Sequence, residues 1–443
     1  MAHYTGINQE VHNYMTHDIP NSLKSNSSAQ AMKTRNRVFQ VSSTSQSQSS
    51  GGVILFNVAP SNFSISRGTM ALKCRVTVTG TGLVGGATTA VGFQGCGAIA
   101  SANNVPAAGN GYSWMNRITV YGSNSAVLEQ VNYLNDNMNL LLQHNSSPQY
   151  LTFDAQILAG VNATFIYPTA TTAIVDLVIP LPLSIFNSST QDFPAFLLSA
   201  PLTIQIDLAS VGRALYRGSA ATITDYNVEK TFLIFQACEL PASYVEAERA
   251  AVKSSPYIMN ITNSLNVQVP AAILSSYTLG LNCSSLRAVF VLPSNGSSYS
   301  SATQLQYIRD TADAPNGAAY TGVGGSNAIV FVDGNQINSA IYDSPAMIFQ
   351  GLKTALHHNL QASVLQPSCA TAATFLSQFY AIGWDLTSFS DEGSLFAGTA
   401  CTNLNLQLSN YAQSNAGANL VTLLACYDVL VCFEADGTIQ TKR

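Results

Sequence analysis

The sequence predicts an all-β protein of two tandem eight-stranded jelly rolls, with a few inserted helices and an extended N-terminal arm. Apolar and polar residues alternate in many segments, which is typical of strands with one buried face. The order of strand, glycine turn, helix and further strands also occurs twice along the 443 residues. Each copy is too long for an immunoglobulin-type sandwich and suits a jelly roll with insertions.

The composition is low in charge. Charged residues make up only 9% of the sequence, against roughly 25% in a typical soluble domain. The missing charged residues are replaced by serine, threonine, asparagine, glutamine and glycine. Intrinsic disorder requires high charge and low hydrophobicity, and 47% of these residues are hydrophobic, so the composition argues against disorder. Because solubility normally relies on surface charge, we expect a protein that is buried between copies of itself.

The charge balance and the apolar stretches argue against three further classes of protein. With 18 Lys and Arg and a net charge of -5, the chain lacks the basic stripe needed for sequence-specific nucleic-acid binding. Residues Met1–Asp18 lack the apolar core of a signal peptide, so secretion by that route is not expected. Asp176, Pro180 and Pro182 interrupt Ala173–Phe186, and Asp428 interrupts Leu420–Phe433, so no membrane-spanning helix is predicted.

Residues 1–52 are predicted to form a flexible N-terminal arm. The arm ends in the serine-rich tract Ser42–Gly52, whose composition is typical of a mobile segment. It is expected to order on a neighbouring chain or on an inner layer, and a plain disordered tail is the alternative. The candidate inner-surface contacts are its basic residues, Lys24, Lys33, Arg35 and Arg37.

From Val53 onward the periodicity predicts strands with a few helices and long loops. The alternation is cleanest in Thr69–Thr79, and the same period recurs in Leu202–Leu208 and Leu404–Leu408. The predicted helices are Ala126–Gln143, Tyr244–Val252 and Ala346–Leu356, the last following a Ser-Pro start signal. The predicted tower-like loops are Gly80–Gly111 and Ser294–Asn327.

The repeat is the most informative feature. Strand Arg117–Tyr121 meets a glycine turn and a helix in the first half, and Ile329–Asp333 does so in the second. The later matches in order are Thr172–Leu181 with Phe379–Leu386, Pro201–Ala209 with Thr402–Ser409, and Lys230–Leu240 with Ala425–Asp436. The predicted domains are therefore a first jelly roll over residues 53–240, a linker with a short helix over 241–256, and a second jelly roll over 257–443. A coincidence of turn chemistry is the alternative explanation.

No motif predicts an enzyme. Gly80–Gly85 matches GxGxxG, but no helix is predicted to start there and no acidic residue follows before Glu129, so no nucleotide cofactor is expected.

The other chemistry-bearing residues also fail to form a site. The histidines beyond the arm, His144, His357 and His358, have no metal-ligand spacing. The nearest acidic cluster is Asp385, Asp391 and Glu392, in a predicted loop. The eight cysteines form no CxxC and are expected to be free buried thiols. No catalytic, cofactor-binding or metal site is predicted.

Several segments resemble the double jelly-roll major capsid proteins of icosahedral double-stranded DNA viruses. Val175–Phe186 followed by Phe193–Leu208 resembles the end of that family's first jelly roll. The further segments that resemble the family are Gly111–Gln143, Leu286–Pro293 and the terminal Tyr427–Ile439 with its Asp-Gly turn. The family includes adenovirus hexon and the capsid proteins of virophages, polinton-like viruses and large algal viruses.

The resemblance implies a structural major capsid protein without a cofactor. Three copies would form a pseudo-hexagonal homotrimeric capsomer, and many capsomers would tile the shell of a virion assembled inside the host cell. The implied partners are neighbouring capsomers, minor or penton capsid proteins, and an inner membrane or scaffold under the shell. The alternative is a secreted or surface carbohydrate-binding or adhesive β-sandwich protein. That alternative predicts exposed aromatic platforms, whereas the chain has only two tryptophans, Trp114 and Trp384.

Overall fold

A computed structural model gives the fold. The described residues are 35–86, 89–99, 106–144, 157, 160, 163–187, 191–218, 220–270, 274–295, 327–337, 345–360, 381–387, 398–409 and 419–442. Their strands form two antiparallel sandwiches, here called barrel 1 (residues 35–239) and barrel 2 (residues 257–442). No helix in these ranges is long and apolar enough to cross a membrane.

The strands of barrel 1 are β1 (Arg35–Ser42), β2 (Ser47–Ser49), β3 (Val53–Val58), β4 (Phe63–Ile65), β5 (Ala71–Thr81), β6 (Val91–Phe93), β7 (Gly95–Ile99), β8 (Pro106–Gly109), β9 (Met115–Tyr121), β10 (Val127–Asn132), β11 (Ile166–Thr169), β12 (Thr172–Pro180), β13 (Leu202–Leu208), β14 (Leu215–Arg217) and β15 (Thr222–Glu239). The strands of barrel 2 are β16 (Tyr257–Pro270), β17 (Leu274–Asn295), β18 (Asn327–Val332), β19 (Asn335–Gln336), β20 (Ile382–Asp385), β21 (Thr399–Ser409), β22 (Asn419–Phe433) and β23 (Ile439–Lys442). The α-helices are α1 (Leu134–His144), α2 (Val211–Ala214), α3 (Ala242–Val252) and α4 (Pro345–Leu360).

Barrel 1 contains two large packed sheets, besides the two-stranded sheets β6-β14 and β7-β8. One has the strand order β1-β15-β5-β12-β11, and the other has the order β10-β9-β13-β3. The alternation predicted for β5 is confirmed, because Leu72, Cys74, Val76 and Val78 are all buried between the sheets. Each sheet therefore buries one face against the other, as in a jelly roll.

Barrel 2 repeats this pairing with one strand shared between its sheets. The first part of β17, Leu274–Leu286, pairs with β21, and the second part, Leu286–Asn295, pairs with β22. The register shifts near Cys283 allow the strand to bend from one sheet into the other. The resulting orders are β16-β22-β17-β20 and β17-β21-β18-β19.

The two barrels have the same topology. In chain order, β1, β3, β5, β9, β10, β12, β13 and β15 correspond to β16, the first part of β17, the second part of β17, β18, β19, β20, β21 and β22. Every pairing among these eight strands of barrel 1 has its counterpart in barrel 2. The predicted fold class, two tandem eight-stranded jelly rolls with inserted helices, is confirmed.

The N-terminal segment differs from its prediction. Residues 35–49, placed in a flexible arm, contain β1 and β2, which pair along β15. Aromatic packing is part of the reason, because Phe39 on β1 stacks on Phe235 of β15 with ring centroids 5.7 Å apart. The serine-rich stretch joins the same sheet because its backbone groups find partners on β15. Lys24 and Lys33, with the rest of residues 1–34, lie outside the described residues.

Two other segments correct the sequence analysis. The helix predicted over Ala126–Gln143 is a strand followed by a shorter helix, β10 and α1. The prediction missed the turn after Tyr121, where Ser125 adopts a positive φ and Gly122 donates to the carbonyl of Ala126, so that β10 pairs with β9. The predicted loop Gly80–Gly111 contains β6, β7 and β8, whereas most of Ser294–Asn327 lies outside the described residues.

Candidate assembly site: the seam between the barrels

The contact between the two barrels is here called the seam. Barrel 1 presents β10 and α1, and barrel 2 presents β16 and β22. The position is set by the fold, because β10 is the outer strand of the sheet β10-β9-β13-β3 and β16 is the outer strand of the sheet β16-β22-β17-β20. Two sheet edges that would otherwise expose backbone groups are thereby covered.

Asn263 and Asn266 on β16 cap the outer backbone of β10. The side-chain amide of Asn266 donates to the carbonyl oxygen of Asn132 over 2.8 Å, and that of Asn263 reaches the carbonyl of Leu128 over 3.5 Å. Both asparagines are buried. Because a buried carbonyl without a partner is costly, these amides fix the position of β16 along β10.

Asp136 is the centre of the seam. It lies in the first turn of α1, where a carboxylate is favoured by the helix dipole, and only 2% of the residue is exposed. Its Oδ2 accepts a hydrogen bond from the Thr422 hydroxyl over 2.8 Å and from the Gln268 amide over 3.3 Å, both across the seam. Bonds to a charged acceptor are stronger than neutral ones, so this carboxylate joins the barrels firmly.

Arg213 balances the charge of Asp136 from within barrel 1. Its Nη2 lies 3.2 Å from Asp136 Oδ2 and also donates to Asn135 Oδ1. Its guanidinium lies over the Tyr133 ring, 4.8 Å from the centroid. A buried charge is tolerated only when it is paired. The ion pair therefore belongs to one barrel, while the groups from the other barrel that reach it are neutral donors.

Glu129 holds the seam strand β10 from its other side. Its carboxylate accepts the backbone N–H of Ser184 over 2.7 Å and that of Ile185 over 3.0 Å. Burial raises the pKa of Glu129 to about 7, although the two N–H donors act in the opposite direction. The side chain thus ties β10 to the segment after β12, and it does so through a group that can change its protonation near neutral pH.

A close turn and an aromatic cluster form another part of the seam. Phe193 of barrel 1 lies 5.6 Å from Phe433 of barrel 2, measured between ring centroids. Beside them, the backbone N–H of Ser199 donates to the carbonyl of Gly437. Gly437 has φ +79°, and a Cβ there would stand 2.6 Å from Ser199 Cβ. The Asp-Gly turn singled out in the sequence therefore requires glycine, and it lies against the first barrel.

The linker helix adds a further contact. The guanidinium Nε of Arg249 on α3 donates to the carbonyl of Phe196 over 2.9 Å. Tyr244, on the same helix, packs with its ring edge-on to that of Phe196, with centroids 6.2 Å apart. The helix between the barrels is thus packed on barrel 1.

The sequence-predicted arm residues are only partly within the described residues. Arg37 on β1 forms an exposed ion pair with Glu239 over 2.7 Å. The backbone of Arg35 lies opposite that same glutamate in the sheet. Lys24 and Lys33 are not described. Whether these four residues contact an inner layer stays a prediction.

The structure does not bring the candidate chemical residues into a site. Asp385 ends β20 and accepts the backbone N–H of Thr387, while Asp391 and Glu392 lie outside the described residues. His357 and His358 fall in the last turn of α4. In the GxGxxG segment, Gly82 and Gly85 have positive φ and no helix follows. Within the described ranges, no three metal-ligating side chains come together.

The tryptophans and cysteines are structural. Trp114 and Trp384 are at most 1% exposed, so neither forms the aromatic platform that the carbohydrate-binding alternative needs. The six cysteines whose side chains the structure describes, which do not include Cys96, are free thiols. Burial raises the pKa of Cys426 to about 12. The seam residues Asp136, Glu129 and Thr422 were missed by sequence reasoning. The sequence feature that could have marked Glu129 is an acidic residue within an apolar stripe. The feature that could have marked Asp136 is an acidic residue at the start of a helix.

The fold is similar to that of viral capsid proteins. No protein-family profile and no curated protein matches the sequence. PBCV-1 VP54, whose crystal structure was fitted into a reconstruction of the virophage Sputnik, aligns with a TM-score of 0.57 and 11% identity, covering 95% of this chain and 99% of that one. The Faustovirus major capsid protein aligns at 0.55 and 8% identity over 92% and 91%. The mavirus major capsid protein aligns at 0.52 and 11% identity over 96% and 94%. The chain therefore has the double jelly-roll fold of these capsid proteins.

Proposed function

We propose that this protein is a structural major capsid protein of an icosahedral virus, and that it forms homotrimeric, pseudo-hexagonal capsomers. The observation that carries the proposal is the seam, which holds two topologically identical barrels side by side. Two similar barrels per chain allow three chains to form a ring with six similar edges, which is the shape that tiles a shell.

The fold comparisons and the composition support this role. Structures that align over nearly the whole chain are major capsid proteins. A chain in which only 9% of the residues are charged suits a protein that other copies cover on several sides. No catalytic machinery is needed for such a role, and we propose none. The protein would reside in the virion.

The proposal also includes specific partners for the capsomer. Neighbouring capsomers and minor or penton capsid proteins would contact the outer walls of the ring. Lys24 and Lys33, which precede β1, and Arg35, at the start of β1, would reach an inner membrane or scaffold under the shell. Arg37 would contribute less, because Glu239 already pairs with it.

The test is the size and outline of the purified full chain. Light scattering after size exclusion is expected to give three times the mass of one chain, 46.9 kDa, and negative-stain images are expected to show hexagonal outlines. A stable monomer at all concentrations up to the solubility limit would contradict the proposal.

A further inference from the structure

Two cysteines of barrel 2 lie directly opposite each other in the sheet. Cys283 on β17 is the register partner of Cys401 on β21. Both belong to the hydrophobic core, where they are 4% and 2% exposed. Among the other cysteines whose side chains are described, none has a cysteine opposite it in a sheet. The fold thus brings together two thiols that are far apart in the sequence.

The register places the two thiols within reach of a disulfide bond. Directly opposite residues of an antiparallel pair have Cα atoms about 4.5 or 5.5 Å apart, and a disulfide spans Cα atoms about 4.4–6.8 Å apart. Their side chains leave the sheet on the same face, with Cβ atoms about 4.5–5.5 Å apart, against about 3.5–4.5 Å in a disulfide. A movement of about 1 Å is therefore enough to bond the two sulfurs.

The backbone around Cys283 can make such a movement. The stretch of β17 from Gly280 to Cys283 lies opposite the shorter stretch from Asn403 to Cys401, and the stretch from Cys283 to Leu286 shows the same excess. Strand β17 therefore has an extra residue on each side of Cys283. Such bulges interrupt the ladder and let a strand bend. Cys283 lies at this bend, where β17 leaves the ladder with β21 to pair with β22.

Side chains already replace the missing ladder bonds at the bend. The Ser285 hydroxyl accepts the backbone N–H of Gly398, next to the start of β21, over 2.8 Å and donates to Asp428 Oδ2 on β22 over 2.6 Å. Both Ser285 and Asp428 are buried. A covalent link from Cys283 to Cys401 would strengthen this contact, because it joins β17 and β21 at the same bend.

The two thiols of the folded chain react slowly. Burial raises the pKa of Cys401 to about 12, and the neighbouring Cys283 thiol acts in the same direction. The thiolate is the form that attacks a disulfide, so little of the reactive form is present at neutral pH. Because both side chains are buried, a reagent reaches them when the bend opens locally.

We propose that Cys283 and Cys401 form a disulfide bond when the protein is exposed to a low-molecular-weight disulfide such as glutathione disulfide, and that the bond fixes the bend of β17 to β21. One thiolate of the pair attacks glutathione disulfide, so that a mixed disulfide forms and a glutathione thiolate leaves. The thiolate of the second cysteine then attacks the protein sulfur of the mixed disulfide, and a second glutathione thiolate leaves. The two cysteine protons pass to the two glutathione thiolates, and the two electrons that the cysteines lose reduce glutathione disulfide.

The redox state of the surroundings decides which form is present. In a reducing compartment the pair stays as two thiols, and in an oxidising one the bond forms. The inference concerns barrel 2 alone and does not rest on the proposed function.

Equilibration with glutathione tests the bond. The purified full chain is incubated with glutathione disulfide in mild urea at about pH 8.5, where more thiolate is present than at neutral pH. Free thiols are then alkylated under denaturing conditions, and peptides are mapped by mass spectrometry. The expected product is a linked Cys283–Cys401 peptide pair, about 2 Da lighter than the two reduced peptides together, which dithiothreitol converts back to two thiols. The bond closes a loop of about 120 residues, so the oxidised protein is expected to melt about 5 °C or more above the reduced protein.

Three single variants serve as controls. Cys283→Ala and Cys401→Ala are each expected to abolish both the link and the difference in melting temperature between oxidised and reduced samples. Cys426→Ala removes another buried cysteine of barrel 2, which lies opposite Ser264 and Ala288, and is expected to keep both. Each variant is compared with itself in the two states, so the cost of the substitution cancels.

Two results on the wild-type chain would overturn the inference. One is alkylation of both Cys283 and Cys401 after equilibration, and the other is a link from either of them to a different cysteine. A Cys283–Cys401 link that leaves the melting temperature unchanged would overturn its role at the bend.

Discussion

The hydrogen bond between Asp136 and Thr422 predicts a measurable coupling between the barrels. Asp136→Ala removes the buried carboxylate and leaves Arg213, whose side chain is 10% exposed, without its charge partner. Breaking a buried ion pair from one side costs about 3–5 kcal/mol. Thr422→Val keeps the shape of the side chain and removes the hydroxyl, which donates to Asp136 and also accepts from the Gln268 amide over 3.2 Å. Loss of the bond to the charged acceptor costs about 1.5–3 kcal/mol.

The two substitutions share one bond, so their effects are not expected to add. A double-mutant cycle is expected to give a coupling of about 1.5–3 kcal/mol, because the double variant loses the 2.8 Å bond only once. The assay is equilibrium urea unfolding, followed by circular dichroism at a fixed protein concentration because any association between copies would change the apparent stability.

A control cycle separates this bond from general destabilisation. Thr354 on α4 donates to the carbonyl of Gln350 within its own helix, away from Asp136. Asp136→Ala with Thr354→Val is expected to be additive within about 0.5 kcal/mol. If the Asp136–Thr422 cycle is equally additive, the carboxylate does not join the barrels, and the account of the seam given above is wrong.

Two further predictions concern other residues of the seam, Glu129 and Gly437. The pKa of Glu129 is raised from 4.5 to about 7 in the fold, so its contribution to stability is complete below pH 4.5 and is lost as the pH rises through 7. Glu129→Gln is expected to remove this slope, at most about 1.4 kcal/mol per pH unit, and urea unfolding at several pH values checks it; parallel profiles would contradict it. Gly437→Ala is expected to lower the melting temperature clearly more than Gly51→Ala. Both glycines have positive φ, but only Gly437 would bring a Cβ against Ser199.

Much of the fold could be predicted from sequence because it depends on local pattern. The alternation in β5, the glycine turn after β18 and the Ser-Pro start of α4 each follow from the conformational preference of a few neighbouring residues. The repeat added long-range information, since the same pattern found twice constrains both copies. These features required no knowledge of which strand lies beside which.

The errors occurred where a partner distant in sequence decides the structure. Val127 and Val131 fit a helical stripe, yet β10 is extended because β9 offers it a hydrogen-bonding edge. The stretch Ser47–Ser49 has the composition of a linker, yet it pairs with β15. Asp136 and Thr422 are 286 residues apart in the sequence and hydrogen-bond only in the folded chain. No pattern in the residues around either one could predict this bond.

The low charge of the chain and the chemistry of the seam have one physical cause. A surface that another barrel covers must lose its bound water. A neutral amide or hydroxyl loses less hydration free energy in this step than an ion does. The seam follows this rule: the described ion pair there lies within barrel 1, and the groups that reach it from barrel 2 are a threonine and a glutamine. The serine-rich strand β2 lies along β15 of barrel 1 and has the same neutral chemistry. A serine-rich composition, which looks like that of a flexible tether, is therefore compatible with pairing in a sheet.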